Sequence, residues 1–241
     1  GESTLADQVL GDLSSSIKNG VKLAFLPRPG QVTLRIDSRA ANKTDAESNL
    51  LALTAKIYAK AGEFIFGEGR DFSLEEALGK LLAEKGLTIS TAESCTGGLI
   101  SNLITDIPGS SRYMLGGVVS YSNASKVQEL GVSEKDLNTA GAVSLEVALQ
   151  MAKGTAKKFR SDIGVSTTGI AGPGGGTKDK PVGTVWLGFW SADFRFAIKA
   201  YFTKDRKLNK QRSAIVSMES LRRSILGIER MPYDLPKYFQ D

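Results

Sequence analysis

The sequence predicts an α/β chain in two parts: a small α+β domain over residues 1–70, then a layered domain over 71–241 in which helices flank a mixed β-sheet. Three observations support this. The first 70 residues pattern as α-β-β-α-β, a compact α+β unit. From about residue 87, strand-type runs alternate with helix-type runs and finish in a hairpin, the pattern of a mixed sheet covered on its faces. Between the two parts Gly67-Glu68-Gly69 reads as a linker, which puts the boundary at about 68–75.

The elements follow in order. Leu5, Val9, Leu10, Leu13 and Ile17 recur at helical spacing, so 4–18 is expected to be an amphipathic helix. Residues 21–26 and 32–37 read as strands joined by a turn at Pro27-Arg28-Pro29-Gly30. A helix over about 44–60 and a short strand over 63–66 complete the first domain. Ser73-Leu74-Glu75-Glu76 is a capping box opening a helix that Gly86 ends. Strands are expected next at 87–92, 113–121, 162–168, 185–190 and 194–202. The helices between and after them are expected at 96–105, from 123, from 133, over 144–159 and over 206–226. Val147, Ala148, Met151, Ala152 and Ala156 share one face of the 144–159 helix. The segment 169–182 is a loop rich in glycine and proline, and the tail over 229–241 is expected to be irregular.

Composition narrows the chemistry. The apolar fraction of 41% and the charged fraction of 24% are those of an ordinary globular protein. No run approaches the roughly 18 apolar residues needed to span a bilayer, so no membrane role is expected. Residues 1–13 carry no basic segment ahead of an apolar run, so they do not read as a signal peptide. The chain begins without Met, as a processed product or a piece of a longer protein would. A lone cysteine, Cys95, rules out an intrachain disulfide and fits a reducing cytoplasm. There is no histidine, which removes the commonest general base and the commonest transition-metal ligand. No metal and no cofactor are implied, and proton transfer falls to Lys, Tyr, Asp, Glu or Cys. The net charge of +5 divides into −1 over residues 1–85 and +6 over 86–241. That surplus serves solubility or draws anionic substrates.

Three segments have the residue types to carry chemistry. Thr91-Ala92-Glu93-Ser94-Cys95-Thr96-Gly97-Gly98 lies where a strand gives way to a helix. Free backbone N–H groups there favour an anion or a developing oxyanion, although the same residues serve equally as a helix cap. Tyr121-Ser122-Asn123-Ala124-Ser125-Lys126 offers a lysine that could act as the base this chain otherwise lacks, or that simply begins a helix on the surface. As a base, Lys126 needs its pKa brought from about 10.4 to roughly 7–8, which only burial or a nearby positive charge supplies. The glycine-rich run from Thr167 to Thr177 could hold a phosphate on its amides or be a mobile loop. It is not a Walker A loop, because Lys178 follows Thr177 and precedes Asp179. Cys95 is a rival nucleophile to Ser94 with no histidine to activate it, and it reads better as a small buried residue.

Together, AESCTGG (92–98), GGVVSYSN with Lys126 three residues on (116–126), TGIAGPGGG (168–176), KPVGTV (180–185) and the Asp205-Arg206 pair resemble the C-terminal domain of the competence-damage-inducible (CinA) family. The resemblance spans about 140 residues. It implies a nicotinamide-nucleotide amidase that converts nicotinamide mononucleotide to nicotinic acid mononucleotide and ammonia. It further implies Ser94 as nucleophile, Lys126 as base and Tyr121 as the group that assists proton transfer or orients the dyad. Thr96, Gly97, Gly98, Asn123, Thr168, Gly169 and Arg206 are the implied substrate contacts, Arg206 being suited to a bidentate grip on the 5′-phosphate. Residues 1–70 resemble the KH-like domain that precedes the amidase domain in this family, including Gly1-Glu2-Ser3. A molybdopterin-binding-like domain precedes both in many members and is absent from this chain. The resemblance also implies a homodimer.

Two features depart from that picture. Lys210 stands where many relatives carry a second arginine, and it lacks the planar fork of a guanidinium. The KH-like part has no GXXG loop; the nearest run is Gly67-Glu68-Gly69-Arg70, so nucleic acid is not an expected partner. The competing functions are an interaction module of a competence or damage-related protein without catalysis, and an amidase for another small nucleotide amide.

Overall fold

The computed structural model describes residues 4–13, 17, 20–28 and 31–240. The chain divides into two compact units, Gly1–Phe72 and Ser73–Asp241.

In the first unit a π-helical stretch, Thr4–Leu10, is followed by β1 (Val21–Arg28), β2 (Gln31–Ser38) and α1 (Lys43–Ala61). The strands are antiparallel, in register from Val21 opposite Ser38 to Arg28 opposite Gln31. Pro29 and Gly30 of the expected turn lie outside the described residues, as do Gly1, Glu2 and Ser3. The side chain of Asn42 accepts from Asp45 N at 2.8 Å and starts α1. Leu53, Ile57 and Ala61 then recur every four residues and pack with Leu10, Leu13 and Val21. Two expectations fail here. The helix expected over 4–18 stops at Leu10, because Gly11 takes φ +58° and its N–H closes back on Ala6 O; residues 14–16 and 18 lie outside the described residues. The strand expected at 63–66 is a 3-10 turn, Gly62–Phe64, whose Phe64 and Ile65 pack on the α1 core in place of pairing at a sheet edge.

The second unit begins at α2 (Leu74–Lys85), where Ser73 and Glu76 form the full capping box and Gly86, at φ +64°, closes the helix. There follow β3 (Ile89–Glu93), α3 (Leu99–Thr105), β4 (Met114–Val119), α4 (Asn123–Leu130), α5 (Glu134–Thr139) and α6 (Leu145–Phe159). The chain continues through β5 (Ile163–Gly169), β6 (Thr184–Trp190), β7 (Arg195–Tyr201), α7 (Arg206–Ile225) and a short β8 (Lys237–Tyr238). The six strands lie in the order β4-β3-β5-β6-β7-β8. β3 is parallel to both β4 and β5, and the remaining pairs are antiparallel. This is the expected mixed sheet between helices. Side chains alternate across it. Ala92 joins Val147 and Met151 on the α6 side, whereas Thr91 and Glu93 point to α3. The whole expected face of α6 is buried. α6 lies so close to the sheet that a Cβ on Gly164 would stand 1.9 Å from Ala152 O, and one on Gly188 2.4 Å from Ala148 O. Glycine is the only residue that admits this approach.

The tail is irregular as expected except for a 3-10 turn at Pro232–Asp234 and a two-residue strand. Ala197 and Ile198 pair with Tyr238 and Lys237, so part of the edge that β7 would otherwise present is covered. The helix expected from 96 begins at Leu99, because Gly97 (φ +66°) and Gly98 (φ +93°) are left-handed and cannot continue a right-handed helix. That shift leaves a tight turn, Ser94 to Gly98, between β3 and α3.

Candidate active site

Ser94 follows the last residue of β3, and its backbone is fixed from both sides. Its N–H donates to Thr167 O on β5 at 2.9 Å, and its carbonyl accepts from Gly97 N at 3.2 Å. Lys126 comes from α4, which Ser122 caps by accepting from Ser125 N. A residue at the fourth position of that helix would ordinarily be free to reach solvent. Here the helix leans on α6, and Lys126 is only 2% exposed. Its Nζ lies 3.1 Å from Ser94 Oγ and donates to Ser120 O at 2.8 Å. No carboxylate pairs with it among the described residues. Burial pushes the Lys126 pKa below the ordinary lysine value. An amine that is easily neutral and sits at hydrogen-bond distance from a hydroxyl can take its proton.

A cleft of about 240 Å³ opens above this pair, lined by Ser94, Cys95, Tyr121, Asn123, Lys126, Ala142, Val143, Thr168, Gly169, Ala171 and Arg206. That is a little below the roughly 300–1,000 Å³ of typical small-molecule pockets. The structure thus gathers Ser94, Lys126, Tyr121, Asn123, Thr168, Gly169 and Arg206 around one space, although they come from four separate segments. Thr168 donates its hydroxyl to Ala142 O at 2.6 Å, leaving its oxygen as an acceptor. Tyr121 is 61% exposed, and its hydroxyl accepts from Arg206 Nη2 at 2.7 Å rather than meeting Ser94 or Lys126. The same guanidinium donates through Nη1 to Gly172 O at 2.9 Å. Arg206 thereby bridges the segment after β4 and the glycine-rich loop.

Thr96, Gly97 and Gly98 are placed differently from the expectation. None of them lines the cleft. Thr96 is buried with its hydroxyl 2.6 Å from that of Thr167, and the Gly97 N–H is engaged by Ser94 O. Nor is the start of α3 open to an anion: the Ile100 and Ser101 N–H groups both donate to Glu93. Cys95 is buried, and burial pushes its thiol up to about 12, so it is a neutral thiol at physiological pH. Lys210 is half-buried, its Nζ 3.4 Å from where a Cβ on Gly97 would stand.

Sequence reasoning passed over two residues. Glu93 lay within a motif it singled out but carried no role there. Asn209 is buried in α7, where it accepts from Thr203 N and donates to Ala171 O and Thr203 O, each at 2.9 Å. It fastens the glycine-rich loop to the start of α7. An asparagine inside an otherwise charged helix is the one signal that could have marked it.

Residues 71–225 match the CinA C-terminal domain, and residues 1–67 match the damage-inducible protein CinA KH domain. The chain belongs to the CinA family. A CinA-like protein of Salinibacter ruber is 47% identical over 225 residues, which cover 93% of this chain and 54% of that protein. A CinA-like protein of Chloroherpeton thalassium is 45% identical over 226 residues, 92% of this chain and 53% of the relative. The chain spans about half the length of these curated relatives. Among solved structures, the competence/damage inducible protein CihA from Agrobacterium tumefaciens is 36% identical with a TM-score of 0.60, covering 66% of this chain and 99% of that one. A CinA superfamily protein from Klebsiella pneumoniae is 27% identical with a TM-score of 0.62, covering 64% of this chain and 96% of its own. The CinA layout, a KH domain followed by the C-terminal domain, is the two-part organisation expected from the sequence. No helix among the described residues is long and apolar enough to cross a membrane.

Proposed function

We propose that the cleft is the active site of an amidohydrolase, which removes the amide nitrogen of nicotinamide mononucleotide by a Ser/Lys mechanism. One observation carries the reading: a buried lysine without a carboxylate partner lies 3.1 Å from a serine hydroxyl at the floor of a cleft. The substrate is the one the CinA resemblance implies.

Neutral Lys126 takes the Ser94 proton, and Oγ attacks the carboxamide carbon. Of the turn after Ser94 only Cys95 lines the cleft, so the oxyanion falls to its backbone N–H; that of Gly97 is held by Ser94 O. The protonated Lys126 returns its proton to the leaving nitrogen, ammonia departs, and water hydrolyses the acyl-enzyme to nicotinic acid mononucleotide. Arg206 and Tyr121 sit at the rim, where a guanidinium with donors to spare meets a phosphate. The pyridinium charge of the substrate further favours a neutral Lys126.

The test is ammonia release from nicotinamide mononucleotide and from other carboxamides by the purified chain. Release from the mononucleotide, abolished in Ser94→Ala, supports the reading. Release only from another amide moves the substrate, and release from none removes the hydrolase. The pH–rate profile of kcat/KM is expected to fall on the acid side as Lys126 gains its proton; a profile with no limb between about pH 6 and 9 argues against Lys126 as the base.

A further inference from the structure

Resting on the hydrolase proposal, we infer that Glu93 is a positioning residue that sets the nucleophile turn from beneath. It is the last residue of β3, immediately ahead of Ser94, and it is 0% exposed. A buried carboxylate ordinarily needs a cation, and no salt bridge reaches this one among the described residues. Its partners are instead three donors at the start of α3. Ile100 N donates to Oε2 at 3.0 Å, and Ser101 N and Ser101 Oγ donate to Oε1 at 2.8 and 2.9 Å. The Ser101 hydroxyl also lies 2.6 Å from that of Thr91 on β3.

One side chain therefore ties the end of β3 to the first turn of α3, and so fixes both ends of the Ser94–Gly98 turn. The anchors within the turn gather at its β5 side: Ser94 N–H donates to Thr167 O, and the Thr96 hydroxyl lies against that of Thr167. Gly97 and Gly98, next to α3, have no side chains to hold that end of it. Ending a helix requires no more than a surface serine or aspartate. A fully buried carboxylate beside the nucleophile exceeds that requirement. Glu93 does not line the cleft, so it acts through the position of Ser94 and not on substrate.

The experiment compares the parent with Glu93→Gln and Ser101→Ala, using an alkyl fluorophosphonate as a probe that needs no amide substrate. Ser94 Oγ forms the P–O bond, fluoride leaves, and Lys126 accepts the proton. Mass spectrometry gives both the final labelled fraction and the rate per site. Glutamine keeps the shape but turns an NH₂ toward one of the two backbone N–H donors, so one bond is lost. The expected result is full labelling at a rate down on the order of 10²-fold in Glu93→Gln. Ser101→Ala is expected to show a smaller fall. With the amide substrate, kcat falls while KM stays within about twofold. A merely structural role would lower the labelled fraction and leave the rate per site unchanged; that result overturns the inference. Should Glu93→Gln fail to fold, Ser101→Ala decides by the same rate. A parent that never labels overturns the hydrolase reading and this inference together.

Discussion

The two units bury different things. Among the described residues, every polar or charged side chain buried as a whole lies at Ser90 or beyond; those of the first unit are apolar, although the Ser38 hydroxyl oxygen is itself out of solvent. Leu10, Leu13, Val21, Leu53, Ile57 and Ala61 form an apolar core that excludes water. The second unit hides Glu93, Ser94, Thr96, Lys126, Thr167, Thr168 and Asn209 in and around one cleft. Burying such groups is costly unless each finds a partner, and Lys126 finds only a hydroxyl and a carbonyl. The contrast separates a unit with an apolar interior from one whose interior accepts the cost of buried polar groups, as the proposed chemistry requires.

The contrast breaks if the polar interior is ornamental. Ser94→Ala and Lys126→Met are each expected to lower kcat/KM for ammonia release on the order of 10³-fold or more, with the fold intact by circular dichroism. A residual rate near that of the parent would remove the dyad. The complementary substitution is Leu53→Ala in the first unit. It should destabilise that unit by about 2–5 kcal/mol in denaturant unfolding, while ammonia release per folded chain stays unchanged. A matching loss of catalysis would show that the first unit does more than fold.

Lys126 also sharpens the comparison through stability. Its folded pKa lies below the unfolded value of 10.5. At pH values below the folded pKa the penalty of a buried charge is felt in full. As pH rises from there toward 10.5 the unfolded chain holds a proton the folded one has lost, so stability increases. Lys126→Met should therefore raise Tm at pH 7 by a few degrees, roughly 2–4 °C for each kcal/mol recovered, and the advantage should shrink as pH rises. A variant less stable than the parent at pH 7 would mean that the two hydrogen bonds of Lys126 outweigh its burial. The smallest expected effect belongs to Cys95→Ala. With its thiol held near 12, Cys95 is not a nucleophile, and the rate of ammonia release should stay within severalfold of the parent.

The sequence by itself determined the alternation of elements, the family, and the segments that meet at the cleft. Local signals sufficed where the cause is local. The Ser73/Glu76 capping box, the apolar face of α6 and the hairpin of β6 and β7 are all written in residue spacing. Tertiary structure decided what spacing cannot reach. Residues 63–66 have the composition of a strand, but Phe64 and Ile65 join the α1 core in place of a sheet. Lys237 and Tyr238 of the tail became β8 because β7 offered them an edge. The burial of Lys126 depends on α4 lying against α6, and its distance from Ser94 depends on β3 and β4 being neighbours. Most decisively, the helix start expected to greet an anion is already occupied by Glu93, two strand positions after Thr91. A sequence shows that a carboxylate is present; only the packed structure shows which way it points and what it holds, because hydrogen bonds in the interior are made by whatever the fold brings within reach.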